Sequence, residues 1–373
     1  MPLKVAIVPD KFKGTLTAPE AAKAIAAGWR QVRPEDELDL IPMSDGGDGF
    51  GETLALQESG ERRRTRTVNA AGEAIGTTWW WLPESQTAVV ETARVIGLAQ
   101  LPSGKFHPFD LDTYGLGLVL KRVFSEGPKS CLIGLGGSAT NDGGFGMARA
   151  LGWRFFDAEG QVLDDWTELH QLDRIEPPPE FKQLPRIVVA TDVDNRLLGV
   201  KGASRIYGPQ KGLREEDMPQ AEACLRGLAQ ALKKRLGRDD SRLPGAGAAG
   251  GLGFGCFAFL GGVAEPGFEV FGKRAQLDRR LAKVDLVLTG EGSIDRSSLM
   301  GKGVGRVAQW CLEHECPCIG LGGIVQRTAK LKRVFRGLYS MVGDVADEAT
   351  AMNSSKRCLR QLARLAAEQL NLD

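Results

Sequence analysis

Apolar and polar positions follow a recurring order along this chain: a short apolar run, a polar glycine-rich loop, then a helical pattern. Leu3 to Val8, Leu38 to Pro42, Cys131 to Leu135, Arg186 to Ala190, Val284 to Leu288, Ile319 to Gly323 and Leu338 to Val342 are short enough for buried strands. Helical spacing follows at Pro19 to Arg30, Asp112 to Phe124, Met147 to Leu151 and Met218 to Leu236. Thr17, with Glu20 three residues on, predicts a capping box for the first helix. Repeated strand, loop and helix predict an α/β protein.

From Arg66 to Val90 the rhythm changes. Thr77 to Leu82, the turn Pro83 to Gln86 and the return Thr87 to Val90 read as a hairpin, with Trp79, Trp80 and Trp81 packing on the sheet. Asp157 to Gly160 predicts a hairpin turn and Pro177-Pro178-Pro179 a rigid connector. The short strands at the two ends resemble one another, and the hairpin-rich run interrupts them. The expectation is two α/β domains: a discontinuous, Rossmann-like one from residues 1–66 plus 285–373, and a second from 67–284.

Composition narrows the function classes. The 373 residues suffice for two domains with their own cores. Lys and Arg total 48 against 47 acids, so no general field draws nucleic acid or an anionic membrane. Arg62, Arg63, Arg64 and Arg66 read as a solvated turn. Seven cysteines at irregular spacing predict reduced thiols and a cytoplasmic setting, and residues 3–8 are too brief for a signal-peptide core. His314, Cys316 and Cys318 fit no zinc spacing; Cys316-Pro317-Cys318-Ile319 reads as the start of a buried strand. Leu243 to Ala264 carries no charge but holds eight glycines, which predicts a glycine-rich loop leading into a buried helix rather than a membrane span.

Candidate chemistry gathers in the loops after strands. Gly136-Gly137-Ser138-Ala139-Thr140-Asn141-Asp142-Gly143-Gly144 follows one strand and precedes a helix. Glycines let main chain approach an anion, a helix N-terminus adds about half a positive charge, and Ser138, Thr140 and Asn141 add side-chain donors. Three readings compete. Gly134, Gly136 and Ala139 spell a G-x-G-x-x-A dinucleotide fingerprint, with Asp157 as its acid, which implies an NAD-dependent dehydrogenase. Gly136-x-Ser138 begins a nucleophile elbow, but Thr140 stands at its closing glycine and the chain has three histidines. The third is phosphate binding in a kinase without a Walker A lysine or the protein-kinase motif set.

Ser44-Asp45-Gly46-Gly47-Asp48-Gly49 brackets glycines with carboxylates at a strand end, the usual ligand position in open α/β sheets. Thr191-Asp192-Val193-Asp194-Asn195 and Thr289-Gly290-Glu291-Gly292-Ser293-Ile294-Asp295 end two further strands. Tyr207 to Gly212 reads as a polar loop too rich in glycine for a helix.

Taken together with Asp10-Lys11-Phe12-Lys13-Gly14 and Pro244 to Gly251, these loops resemble, in order, the motifs of the bacterial-type glycerate kinase family. Arg296-Ser297-Ser298 departs from the Gln-Thr pair usual there. The resemblance implies ATP-dependent phosphorylation of D-glycerate with Mg²⁺, most often at the 2-hydroxyl, and two α/β domains with the site in the cleft between them. Phosphorylation at the 3-hydroxyl is the alternative product, and a non-catalytic nucleotide sensor is a further class. On this reading Gly136, Gly137, Ser138, Thr140, Asn141 and Gly143 take the nucleotide. Asp192, then Asp295, is the expected base, and Lys13 joins the catalytic set. Asp45, Gly46, Gly47 and Lys302 are expected at the substrate, and Asp48 and Glu291 at the metal. No nucleic-acid or membrane partner is expected, and the assembly is a monomer or homodimer.

Overall fold

The strand Lys4–Pro9 is buried from Val5 onward because it pairs on both edges within a parallel sheet. This computed structural model describes residues 1–178, 184–299 and 303–371, so Pro179, Gly301 and Lys302 lie outside the described residues. The chain divides into two compact units, Met1–Asp45 with Phe268–Asp373, and Gly46–Gly267.

In the first unit the sheet is wholly parallel. Its order is Gly337–Ser340, Cys318–Val325, Leu286–Ile294, Lys4–Pro9, Glu37–Leu40. The helix Ala18–Trp29 opens with the expected box: Thr17 N–H donates to Glu20 Oε2 at 2.9 Å and Glu20 N–H to Thr17 Oγ1 at 3.4 Å. Such a cap contributes about 1 kcal/mol. That helix packs on Ser355–Glu368 so closely that a Cβ on Gly28 would sit 2.0 Å from the Arg360 carbonyl oxygen. Val5, Ile7, Trp29, Leu288, Leu321 and Leu362 form the core around them.

The second unit carries a six-stranded sheet in the order Val263–Glu265, Arg186–Ala190, Ser130–Gly134, Thr87–Glu91, Ala74–Leu82, Glu61–Val68. The first four are parallel, and the last two join antiparallel as a hairpin. The Arg62–Arg66 run is therefore an edge strand and not a turn. Arg63 explains its tolerance there: its guanidinium lies over Trp79 and Trp81 and pairs with Glu126 at 3.0 Å. Trp79 and Trp80 are buried in the sheet, as their pattern predicts. Ala248–Leu260, broken near its start by left-handed Ala249, Gly250 and Gly251, holds the buried helix read from the uncharged stretch; it is apolar all round because it has no solvent face. No helix among the described residues is long and apolar enough to cross a membrane.

Two local differences matter. Residues 46–66 belong with the middle of the chain, because Glu61–Val68 pairs with Ala74–Leu82 and Gly51 packs directly against the Trp80 ring. Residues 268–284 belong with the chain ends, where Arg280 Nε donates to Asp39 Oδ2 at 2.9 Å. Boundaries expected at 66 and 285 thus fall at 45 and 268, since through-space pairing and not the hairpin signal decides membership. The segment Tyr207–Gly212 also departs from a pure loop: a helical turn at Ala203–Tyr207 leads into a short 3-10 turn at Pro209–Lys211.

Candidate active site

In the first unit, parallel pairing brings acidic strand ends to one edge of the sheet. Asp10 follows Lys4–Pro9, Asp45 follows the extension of Glu37–Leu40, and Glu291 lies within Leu286–Ile294. Asp10 accepts from Lys11 N–H at 2.7 Å. Burial, then the charge of Asp45 and more weakly that of Glu291, pushes the Asp10 carboxyl up to about 7 against the opposing Lys11. Lys11 Nζ stands 4.0 Å from Asp45 Oδ1. The Ser44 hydroxyl is buried with no partner among the described residues.

Lys13 is exposed on the tight turn anchored by buried Phe12, whose carbonyl accepts from Thr15 and Leu16. Gly292 runs alongside it: a Cβ there would meet Lys13 N at 3.4 Å. Asp295 is drawn into its own turn, accepting from Ser297 N–H at 2.7 Å and Ser293 Oγ at 3.3 Å. That capping role accounts for an acid and serines at this spacing without invoking chemistry.

In the second unit, the backbone of Gly46 and Gly47 packs closely against the start of the Gly136–Gly144 loop. A Cβ on Gly134 would lie 2.6 Å from the Gly46 carbonyl oxygen, and one on Gly136 would lie 3.1 Å from Gly47 Cα. Gly137 has φ +59° and its Cβ position is 3.4 Å from Asp48 Oδ1, so the exposed Asp48 carboxylate borders the loop. On the far side, a Cβ on Gly250 would lie 1.9 Å from the Thr140 carbonyl oxygen and one on Gly251 2.9 Å from Gly143 Cα, so these two positions have no room for a side chain.

The loop is less of a backbone cradle than its glycines suggest. The N–H groups of Gly136, Ala139, Gly143 and Gly144 are spent on Thr92 Oγ1, Ile96 O, Gly250 O and Asp142 Oδ1. Its helix, Phe145–Ala150, starts well past Ala139, so the dinucleotide fingerprint lacks the helix it needs. Side chains remain: Thr140 Oγ1 and Asn141 Oδ1 are buried without partners among the described residues, while Asn141 Nδ2 donates to Ser204 Oγ at 2.9 Å. Asp142 ties the loop together, accepting from Thr113 N–H, Thr113 Oγ1, Gly144 N–H and Gly146 N–H.

Asp192 is exposed after the strand Arg186–Ala190, and its Oδ1 accepts from Gly267 N–H at 2.9 Å. Asn195 closes the next turn, donating to Lys201 O and accepting from Tyr207 Oη. Among the described residues no three His, Cys, Asp or Glu side chains gather as a ready-made metal group, so Asp48 and Glu291 belong to none.

Two residues escaped the sequence reading. Lys211 is buried and donates to Ser138 Oγ at 3.0 Å and Thr140 O at 2.7 Å. Glu91, 3% exposed, receives Gly51 N–H at 2.7 Å and Gly49 N–H at 3.3 Å, with Arg94 Nε at 2.9 Å. Burial holds the Glu91 carboxyl above the usual range against those partners. The available signal was one acid closing the otherwise apolar run Thr87–Glu91. Glu91→Gln is expected to cost about 1–3 kcal/mol in urea unfolding, since a single amide oxygen cannot serve two N–H groups and a guanidinium. A loss below about 0.5 kcal/mol would show that the carboxylate does not hold the Gly49–Gly51 turn.

Known proteins resemble this chain along nearly its whole length. The sequence pattern of the Glycerate kinase family matches residues 5–371. A glycerate kinase of Halalkalibacterium halodurans is 35% identical over 366 residues, covering 96% of each chain. A glycerate 2-kinase of Escherichia coli is 36% identical over 325 residues, 86% of this chain and 85% of that one. A crystal structure from Salmonella typhimurium LT2, described as that of a presumed glycerate kinase 2, superposes with a TM-score of 0.86 at 32% identity, covering 99% of this chain and 98% of that one.

Proposed function

The chain belongs to the glycerate kinase family, and from that premise we propose that it transfers the γ-phosphoryl group of ATP to the 2-hydroxyl of D-glycerate, giving 2-phosphoglycerate and ADP. The observation that carries the reading is the Gly136–Gly144 loop at a strand end, with the buried Thr140 hydroxyl and Asn141 oxygen unspent. Phosphoryl transfer asks a protein mainly for positioning and charge neutralisation; the Thr140 hydroxyl can donate to a phosphate oxygen, and the neutralising charge falls to lysines and a bound cation.

Mg²⁺ fits the acids of the first unit. Burial first, then the charge of Asp45 and more weakly that of Glu291, pushes the Asp10 carboxyl up to about 7, a strain that a divalent cation relieves. Mg²⁺ needs only one or two carboxylates beside substrate phosphates, so a three-ligand cage is not required. When bound it neutralises charge on the β- and γ-phosphates. In the second unit, Asp48 borders the Gly136–Gly144 loop.

Asp192 is the proposed proton acceptor for the glycerate hydroxyl, oriented by the Gly267 N–H. Lys13 and Lys302 are proposed to hold the glycerate carboxylate or the γ-phosphate, with Asp45, Gly46 and Gly47 at the hydroxyls. The test is incubation with ATP, Mg²⁺ and D-glycerate, following ADP and identifying the product by phosphorus NMR. Glycerate-dependent ADP with 2-phosphoglycerate is expected. Formation of 3-phosphoglycerate moves the acceptor to the other hydroxyl, and ADP release no faster than in the glycerate-free control rejects the kinase reading.

A further inference from the structure

Lys211 is a cation that the fold has paid to bury. It is 7% exposed, and its ammonium gives two N–H groups to the 138–140 segment: Ser138 Oγ at 3.0 Å and Thr140 O at 2.7 Å. Among the described residues it has no carboxylate in ion-pair contact. Asp142 is the charge nearest in effect, but its oxygens are occupied by Thr113, Gly144 and Gly146. Burial pulls the ammonium down to about 7, with Asp142 opposing. A neutral amide can donate to a hydroxyl and a carbonyl without this desolvation cost, so loop-tying alone does not account for a lysine.

The same segment holds a second unsatisfied feature, the buried Thr140 Oγ1, which has no partner among the described residues. An anion answers both: it accepts a hydrogen bond from the Thr140 hydroxyl and from the third N–H of the ammonium, or feels that charge at short range. We infer that Lys211 is the positioning cation of the nucleotide site, fixing Ser138 and Thr140 and setting the positive charge that draws the phosphate chain to this loop. The inference takes its choice of anion from the kinase reading above.

The test compares adenosine, ADP and a non-hydrolysable ATP analogue by calorimetry on the wild type, Lys211→Met and Lys211→Gln, with thermal melts as a control on folding. Both variants are expected to bind adenosine as the wild type does and to lose affinity in proportion to phosphate charge, about 10–100-fold for the ATP analogue. Equal losses for adenosine and the analogue would mean that Lys211 only shapes the unit. Full affinity in Lys211→Gln would mean that a neutral donor suffices. Either result overturns the inference. Inorganic tripolyphosphate on the wild type needs no variant: a raised melting temperature is expected, and none overturns the inference even if neither variant folds. A wild type that phosphorylates glycerate while both variants bind the analogue normally rejects this role and leaves the kinase reading standing. A phosphate-dependent loss in a protein that never phosphorylates glycerate does the reverse.

Discussion

Asp192→Asn is expected to lower kcat by about 10²–10⁴-fold while the affinity for a non-hydrolysable ATP analogue stays near that of the wild type. The substitution separates shape from proton transfer. Asp192 Oδ1 accepts from Gly267 N–H at 2.9 Å, and an asparagine oxygen repeats that bond. What the amide lacks is the ability to take the hydroxyl proton. Exposure after the strand Arg186–Ala190 also means that the change leaves the core untouched. Steady-state kinetics beside calorimetry on the same preparation gives the answer. Turnover close to wild type removes Asp192 from the chemistry. Asp295 is then a poor heir, because its carboxylate already caps the turn through Ser297 and Ser293.

Asp10→Asn carries the second large effect, and it has opposite signs for activity and stability. The Asp10 carboxyl is raised from 3.8 to about 7 by burial and by Asp45, with Glu291 adding to it. A folded-state value above the unfolded one means that the folded state binds the extra proton more tightly between those limits. This group's contribution to stability is therefore greatest below about 4, falls as pH rises toward about 7, and is flat above. Asparagine removes the buried charge and keeps an oxygen for Lys11 N–H, which sits at 2.7 Å in the wild type.

At about pH 8 the variant is expected to melt higher than the wild type by a few degrees, on a scale of roughly 2–4 °C per kcal/mol. Its melting temperature is expected to lose the wild-type decline between acid and neutral pH. Added Mg²⁺ is expected to stabilise the wild type and to have little effect on the variant, whose kcat/KM falls by at least about 10²-fold. Such trade-offs mark acids kept for function at the expense of stability. A variant less stable than the wild type at that pH, or one still fully stabilised by Mg²⁺, would falsify the assignment of Asp10 to the cation.

Local signals carried much of this protein. The Thr17–Glu20 box, the amphipathic span Met218–Leu236 and the buried runs at Arg186–Ala190 and Ser130–Gly134 appear in the fold as their spacing predicts. Each depends on neighbours within a turn or a strand, so periodicity and capping chemistry suffice to read it. The glycine-rich loops are legible too, because few residues other than glycine tolerate positive φ or a backbone in contact.

Tertiary structure decided what depends on distance through space. Arg62–Arg66 became an edge strand because Trp79 and Trp81 lie beneath Arg63, not because of its own polar pattern. Gly250 faces the Thr140 carbonyl from more than a hundred residues away, and no sequence window contains both. The main-chain donors of Gly136, Ala139, Gly143 and Gly144 are used up by partners that the loop's own residues only partly reveal. Burial of Lys211 and Glu91, and the crowding that raises Asp10, follow from desolvation and from charges brought together by folding. Sequence alone determined which strands end in glycine-rich polar loops, because conformational preference is local. Folding decided which side chains in them carry charge and which are satisfied, because electrostatics and solvent exclusion act across the folded chain.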